Sequence, residues 1–263
     1  MKGKLSNPPV YYTIAQAQFN PVAAMANYIN ELQNSFRLQG YTLFDQEKVS
    51  QLIFREAPAK AEVIELPIWR ITNTDRTSGF ILGQSHLAYH TTHYQEHSQF
   101  FDNFLMGLQE INSIVKLDHF SRLGLRYLNA VLPKSQENVL RYLRNGLHGI
   151  EFEVKPKYSL HESIFETKVK LCSCLGNLVN RVYFRLGPLG YPPDISPHNL
   201  VIMPKFIKEK YGSHAVIDID HFIQEQMVVN FEQIKTTLQS LHIGVKKAFE
   251  ANITEHAWKV WKQ

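Results

Sequence analysis

This sequence predicts an α+β fold: one broad, curved antiparallel sheet with long helices on a single face. Three observations carry that prediction. Short runs rich in β-branched and aromatic residues alternate with period two, the mark of half-buried strands. Three long segments carry apolar residues at steps of three and four, the stripe of an amphipathic helix. The signals come in the order strand, helix, four strands, helix, and that order begins again near residue 120.

After a short polar arm, Asn7-Pro8-Pro9 opens an extended segment, and residues 10–19 read as the first strand. Asn20-Pro21 places proline at the first position of a helix. Its stripe is Val22, Met25, Ile29, Leu32 and Phe36, and Gly40 is its C-cap. Strands follow at 49–54, 63–71, 79–82 and 86–89, with Asn73-Thr74-Asp75-Arg76 as a turn. Pro67 cannot donate to a ladder and assigns its strand to an edge or a bulge. The second stripe is Phe101, Phe104, Leu108, Ile111 and Val115. Beyond it, 123–132 is a strand, and Pro133-Lys134-Ser135 begins a helix carrying Val139, Tyr142, Leu143 and Leu147. Residues 150–158, 164–174, 178–186, 200–204 and 215–220 read as strands, with Gly176-Asn177 as a hairpin turn. Phe231, Ile234, Leu238, Leu241, Val245 and Ala248 form the third stripe, and Thr254 caps a closing helix with Trp258 and Trp261.

The chain thus divides into two halves of similar order, 1–119 and 120–263, within one compact body. The second half adds a strand and the Pro/Gly loop 187–193. Paired edge to edge, two β-α-β4-α repeats make a single sheet with its helices on one side. In element order alone, that plan resembles the saddle of the TATA-binding protein and, more loosely, helix-grip folds.

Composition bounds the function. With 263 residues, 44% hydrophobic and 20% charged, the chain is neither collagen-like nor disordered, and it is long enough to bury a core without metal or disulfide. Lys plus Arg is 28 against 24 for Asp plus Glu, a mildly basic balance that permits a polyanion partner without requiring one. Cys172 and Cys174 sit too close for an ordinary structural disulfide and read as reduced thiols. The start lacks the apolar core of a signal peptide, and no apolar run reaches a membrane span, so a cytoplasmic protein with no membrane contact is expected.

Charge alternation in the second half is the most informative pattern. Glu151, Glu153, Lys155 and Lys157 share one phase; so do Glu166, Lys168 and Lys170, then Arg181, Tyr183 and Arg185, then Arg122 and Arg126. If these phases coincide, Arg122, Arg126, Lys155, Lys157, Lys168, Lys170, Arg181 and Arg185 outnumber the acids on a water-facing plane. That plane is either a solvated face with cross-strand Lys/Glu pairs or a polyanion platform with Tyr183 as a stacking ring. His90, His93 and His97, with Glu96, would share a face on a helix and form a candidate zinc cluster, although Thr91-Thr92 leaves the helical phase of His90 open. Asp218 and Asp220 share a strand phase ahead of His221, which suits a Mg²⁺ pair or a helix-start carboxylate pair. There is no HExxH, no GxSxG and no Gly-rich phosphate loop, so the reading leans away from an enzyme and expects no cofactor.

Four segments carry a family resemblance: Asn7-Pro8-Pro9-Val10, Arg122-Leu123-Gly124-Leu125-Arg126-Tyr127-Leu128-Asn129, Val216-Ile217-Asp218-Ile219-Asp220, and Ala248-Phe249-Glu250-Ala251-Asn252-Ile253-Thr254. In that order they resemble a sporadically distributed family of bacterial proteins of about 260 residues. The resemblance implies no catalytic residue; a patchy distribution implies mobile or phage-defence genes. It departs at Tyr11, where an acidic residue is expected. The expectations are therefore a non-enzymatic module binding nucleic acid or another polyanion on the basic face, a small-molecule sensor or enzyme with a pocket between sheet and helices whose mouth is lined by the Pro/Gly loop and Arg126, or a component that binds a partner protein in a defence or regulatory cassette.

Overall fold

A computed structural model describes residues 3, 5–55, 60–150, 160–171, 174–207 and 212–263. The chain is α+β, with one large, open, antiparallel sheet in the order β2-β3-β4-β5-β1-β6-β9-β8-β7. These strands are β1 Val10–Phe19, β2 Leu43–Arg55, β3 Lys60–Thr72, β4 Ser78–Leu82, β5 His86–Thr91, β6 His119–Val131, β7 Glu162–Lys170, β8 Leu175–Leu186 and β9 Ser213–Ile223. A two-residue β10, Met227–Val228, pairs with β6. The helices are α1 Ile29–Leu38, α2 His97–Val115, α3 Phe231–Asn252 and α4 Glu255–Lys262.

The centre of the sheet is the antiparallel pair β1–β6, which joins strands from either side of residue 119. Alternate positions explain its two faces. Ala15, Ala17 and Phe19 of β1, Leu123, Leu125 and Tyr127 of β6, and Ile217 and Ile219 of β9 form one cluster with Phe104 and Leu108 of α2 and Leu238 and Leu241 of α3. All four helices contribute to that cluster, so the helices cover one face. The opposite face carries a second, smaller cluster of Tyr11, Tyr12, Leu128, Tyr183, Phe206 and Val216, covered by Leu189 and Tyr191 of the Pro/Gly loop and by Ile195, Ile202 and Met203 of the segment that continues it. A β-bulge at Tyr11 makes this cover possible. The register shifts between Val10 and Tyr12, which turns two consecutive tyrosines towards one side. Tyr11 donates to the Gly190 carbonyl at 2.8 Å, and the Tyr11 and Tyr191 rings lie 5.2 Å apart.

Helix docking is close where glycine permits it. A Cβ on Gly107 of α2 would stand 2.3 Å from the Phe80 ring. One on Gly244 of α3 would stand 2.4 Å from the ring of His221, which is fully buried and hydrogen-bonded through Nδ1 to the Leu241 carbonyl at 2.9 Å.

Several expected elements differ. The first helix begins at Ile29 rather than Pro21, because residues 25–28 form a 3₁₀ turn, although Met25, Leu32 and Phe36 are buried as the stripe requires. No α-helix forms over residues 133–149. There the backbone bonds elsewhere: Arg144 N–H donates to the Asn252 carbonyl, Thr254 N–H donates to the Tyr142 carbonyl, and Leu143 bridges Ile253. Gln136 also sits at φ 67°, outside helical space, and only 3₁₀ turns at 139–141 and 145–147 remain. Residues 200–203 are not a strand, and 204–206 is a 3₁₀ turn. Gly176 and Asn177 lie inside β8; the β7–β8 hairpin closes earlier, with Leu171 N–H donating to the Cys174 carbonyl. Pro67 lies beyond the reach of β4, which pairs with β3 only over Trp69–Thr72, so β3 is an edge there as proline demands. Residues 151–158 of the strand expected at 150–158, and the thiol Cys172, fall outside the described residues.

Candidate functional site

Cross-strand register places the charged residues. Arg126 lies opposite Asp220, Arg181 opposite Asp218, Ile164 opposite Arg181, and Lys168 opposite Asn177. Residues directly opposite share a face. Arg122, Arg126, Lys168, Lys170, Arg181, Tyr183 and Arg185 therefore all stand on the face away from the helices, in the phase the alternation predicts. Lys155 and Lys157 lie outside the described residues, as do Glu151 and Glu153.

The same face also holds Asp218, Asp220 and Glu162, and the Pro/Gly loop brings Asp194 down onto it. Arg126 donates from Nε and Nη2 to the two Asp218 oxygens, each at 2.7 Å, and from Nη1 and Nη2 to Asp194 at 2.5 and 3.1 Å. Asp218 is fully buried and also takes Arg181 at 3.7 Å. Arg122 reaches Asp220 at 3.6 Å, and Arg185 reaches Glu162 at 3.8 Å. Hydrogen bonds from Arg126 hold the Asp194 carboxyl below the usual carboxylate range, while burial pushes that of Asp220 up. The centre of the face is thus a self-neutralised network under a loop. Exposed cations persist at the two ends of the β7–β8 hairpin: Lys168 and Lys170 are open to solvent near its turn, and at the other end the Arg185 guanidinium lies 4.9 Å over the Tyr183 ring.

The candidate metal sets do not assemble. Helix α2 begins only at His97, with Glu96 as its N-cap, so His90, His93 and His97 lie on a strand, a turn and a helix start. The strand runs on through Thr91, whose hydroxyl, like that of Thr92, binds the Thr77 carbonyl. His90 is buried on the loop-covered face against the Tyr12 hydroxyl at 3.0 Å. His97 stacks on His242 of α3 at 4.5 Å. Asp218 is taken by two arginines, and no group of three or more metal-ligating side chains occurs among the described residues.

On the helix side, a cavity of about 710 Å³ lies against the centre of the sheet, bounded by β1, β6, α2, α3, α4 and the N-terminal arm. That volume falls within the roughly 300–1,000 Å³ of small-molecule sites. Its walls are Tyr94, Tyr127, Phe249 and Trp258, with Val10, Pro8 and Val245 between them. The polar groups are placed individually. The Tyr127 hydroxyl stands 3.5 Å from that of Tyr94 and 3.2 Å from Nδ1 of His242. Burial, then the nearby His97 and Lys246, lower His242 to about 4, so its ring is neutral at physiological pH. Burial pushes Tyr94 up to about 12. Oε1 of Glu250 is buried with no hydrogen-bond partner among the described residues. The arm that closes one side is held by Asn7 N–H donating to the Trp261 carbonyl at 2.9 Å.

Known proteins offer no template. The chain matches no family model, no curated protein and no solved structure. Among the described residues, no helix is long and apolar enough to cross a membrane.

The Pro/Gly loop and Arg126, expected at the mouth of such a pocket, stand on the other side of the sheet. The wall residues Tyr94, Tyr127, His242 and Glu250 were invisible as a site in the sequence, because they come from a turn, a strand and one helix. The only signal was indirect. Tyr127, Phe249 and Glu250 fall in segments that carry the family resemblance, and Tyr127 follows Leu123 and Leu125 on one strand face.

Proposed function

We propose that this chain is a binding protein for a metabolite-sized molecule held in the cavity between β1–β6 and α2–α3. The cavity itself carries this reading. It is large, walled by aromatic rings, and supplied with a few separately placed polar groups, the pattern of small-molecule sites. The unpartnered Glu250 oxygen is an acceptor that a donor group on the ligand would satisfy, since a buried polar atom left unpaired costs about 1–3 kcal/mol. Tyr127 and His242 would orient a second polar group, and the four rings a flat apolar body. The test is a thermal-shift screen of a metabolite library against the full chain and against Val245→Trp, which fills the cavity. Binders that stabilise the parent and not the variant support the reading. Binders that stabilise both equally reject it.

The strand order supports a structural duplication within this reading. Two halves, each threading its later strands outward from its first, would meet through β1 and β6, and β1 and β6 are the central pair. The cavity then sits where the halves join, under the two longest helices. The saddle-like expectation also calls for a helix after β6, where 3₁₀ turns stand instead; the duplication and membership of the sporadically distributed bacterial family are parts of the same proposal.

A second reading, polyanion binding, is favoured by one observation: Lys168 and Lys170 stay open to solvent near the β7–β8 turn, at the opposite end of the hairpin from Arg185 and Tyr183. It predicts nucleic-acid binding that weakens steeply with salt and is lost in a Lys168→Gln, Lys170→Gln double variant. Equal binding by that variant removes it.

A further inference from the structure

We propose a second binding site, on the sheet face opposite the cavity, for a small oxyanion such as a phosphate or sulfate group. A pocket of about 280 Å³ lies between β2–β3 and the end of the Pro/Gly loop, and Arg70, Arg76, His90, His198 and Asn199 line it. Arg70 is nine-tenths buried, and its Nε has no hydrogen-bond partner among the described residues, while an Nη is held by Glu47. A guanidinium offers five N–H donors in a fixed fork, and an oxyanion is the ligand that uses donors left over.

The walls are built with some strain. Arg76 at φ 53° and His198 at φ 51° are two of the four non-glycine residues at positive φ among those described, and both line this one pocket. Such conformations persist where surrounding structure imposes them, and they cluster at binding sites. Here the imposing bond is Val201 N–H to the Arg76 carbonyl at 2.7 Å, which ties the loop to the β3–β4 turn. Tyr12 of β1 holds the buried His90 from behind.

The charges around the site are mixed. Asp45 lines the pocket opposite Arg70, and Glu47 takes an Nη of Arg70, so affinity should be roughly millimolar rather than tight. His90 is lowered to about 3 by burial first, then by His198 and Arg70; His198 is lowered by burial and then by Arg70. His90 stays neutral; a bound dianion offsets the repulsion of Arg70 on the exposed His198 and makes that protonation easier, so binding tightens as pH falls from about 8 to about 6.

The experiment is calorimetric titration of the full chain with sodium sulfate at constant ionic strength, at both pH values. Arg76→Asn and His198→Asn are the decisive variants, since asparagine tolerates positive φ and both positions are exposed. One sulfate per chain, tighter at the lower pH and weakened about tenfold by either variant, is the expected result. Absence of saturable sulfate binding, or binding unchanged in both variants, overturns the proposal. Because the metabolite cavity is on the other face, Val245→Trp should leave sulfate binding intact.

Discussion

Replacing Arg126 with methionine removes the partner of a carboxylate that has no access to water. Asp218 would lose two charge-assisted bonds of 2.7 Å, keeping only Arg181 at 3.7 Å and the Tyr183 hydroxyl at 3.5 Å. Breaking a buried ion pair from one side costs about 3–5 kcal/mol. The remaining arginine places Arg126→Met near the lower end, about 3 kcal/mol. For a chain of this size each kcal/mol moves the melting temperature by about 2–4 °C, so the loss is about 6–12 °C. Arg126→Met/Asp218→Asn removes both charges and should recover most of it, because replacing a buried pair by uncharged groups is often near neutral. The assay is a double-mutant cycle by urea denaturation, with a coupling energy of about 2 kcal/mol or more expected. A loss below about 1 kcal/mol for Arg126→Met, with no coupling, would show that Arg126 is not committed to Asp218. It would return that guanidinium to the pool available for an external anion.

Other outcomes follow from the same geometry. Gly244→Ala should raise helix propensity by about 1 kcal/mol yet destabilise by about 1–3 kcal/mol, because its Cβ meets His221; Gly244→Ala in a His221→Ala background should lose most of that cost, measured by thermal melts. His242 and His90 are held neutral in the fold, at about 4 and about 3, and take up protons only on unfolding. Their folded values lie below the unfolded one, so their contribution is fully present above about pH 6.5 and falls by about 1.4 kcal/mol per group per pH unit below it, visible as a declining urea midpoint between about pH 6.5 and 4. Asn180 and Asn252 exchange side-chain hydrogen bonds of 3.0 and 2.7 Å in the core, and Asn252 Nδ2 also donates to the Ala248 carbonyl; Asn180→Leu should cost about 1–3 kcal/mol by stranding the Asn252 amide oxygen, and a change under about 0.5 kcal/mol in denaturation would refute the pairing.

Much of this architecture is legible from periodicity. The three stripes became α1, α2 and α3 because each buries one face against the sheet, and the charge alternation in β6, β7 and β8 gave the right phase because strand geometry fixes it locally. What failed was decided by tertiary partners. Residues 139–147 have a helical pattern, but Tyr142, Leu143 and Arg144 bond to the α3–α4 junction instead of to one another. The cationic plane was overcounted because Asp218 and Asp220, read as a separate metal motif, belong to the same face, and because Asp194 arrives from a loop whose path no local signal reveals. The cavity was anticipated only as a place between sheet and helices, since its walls come from five elements and the arm.

The central claim is that the cavity holds a small ligand, and chemical-shift mapping tests it most directly. On titrating the strongest binder into isotopically labelled full chain, the largest amide shifts should fall at Tyr94, Tyr127, Val245 and Phe249. Shifts confined to β7 and β8, around Lys168 and Arg185, would contradict the account and move the binding surface to the other side of the sheet.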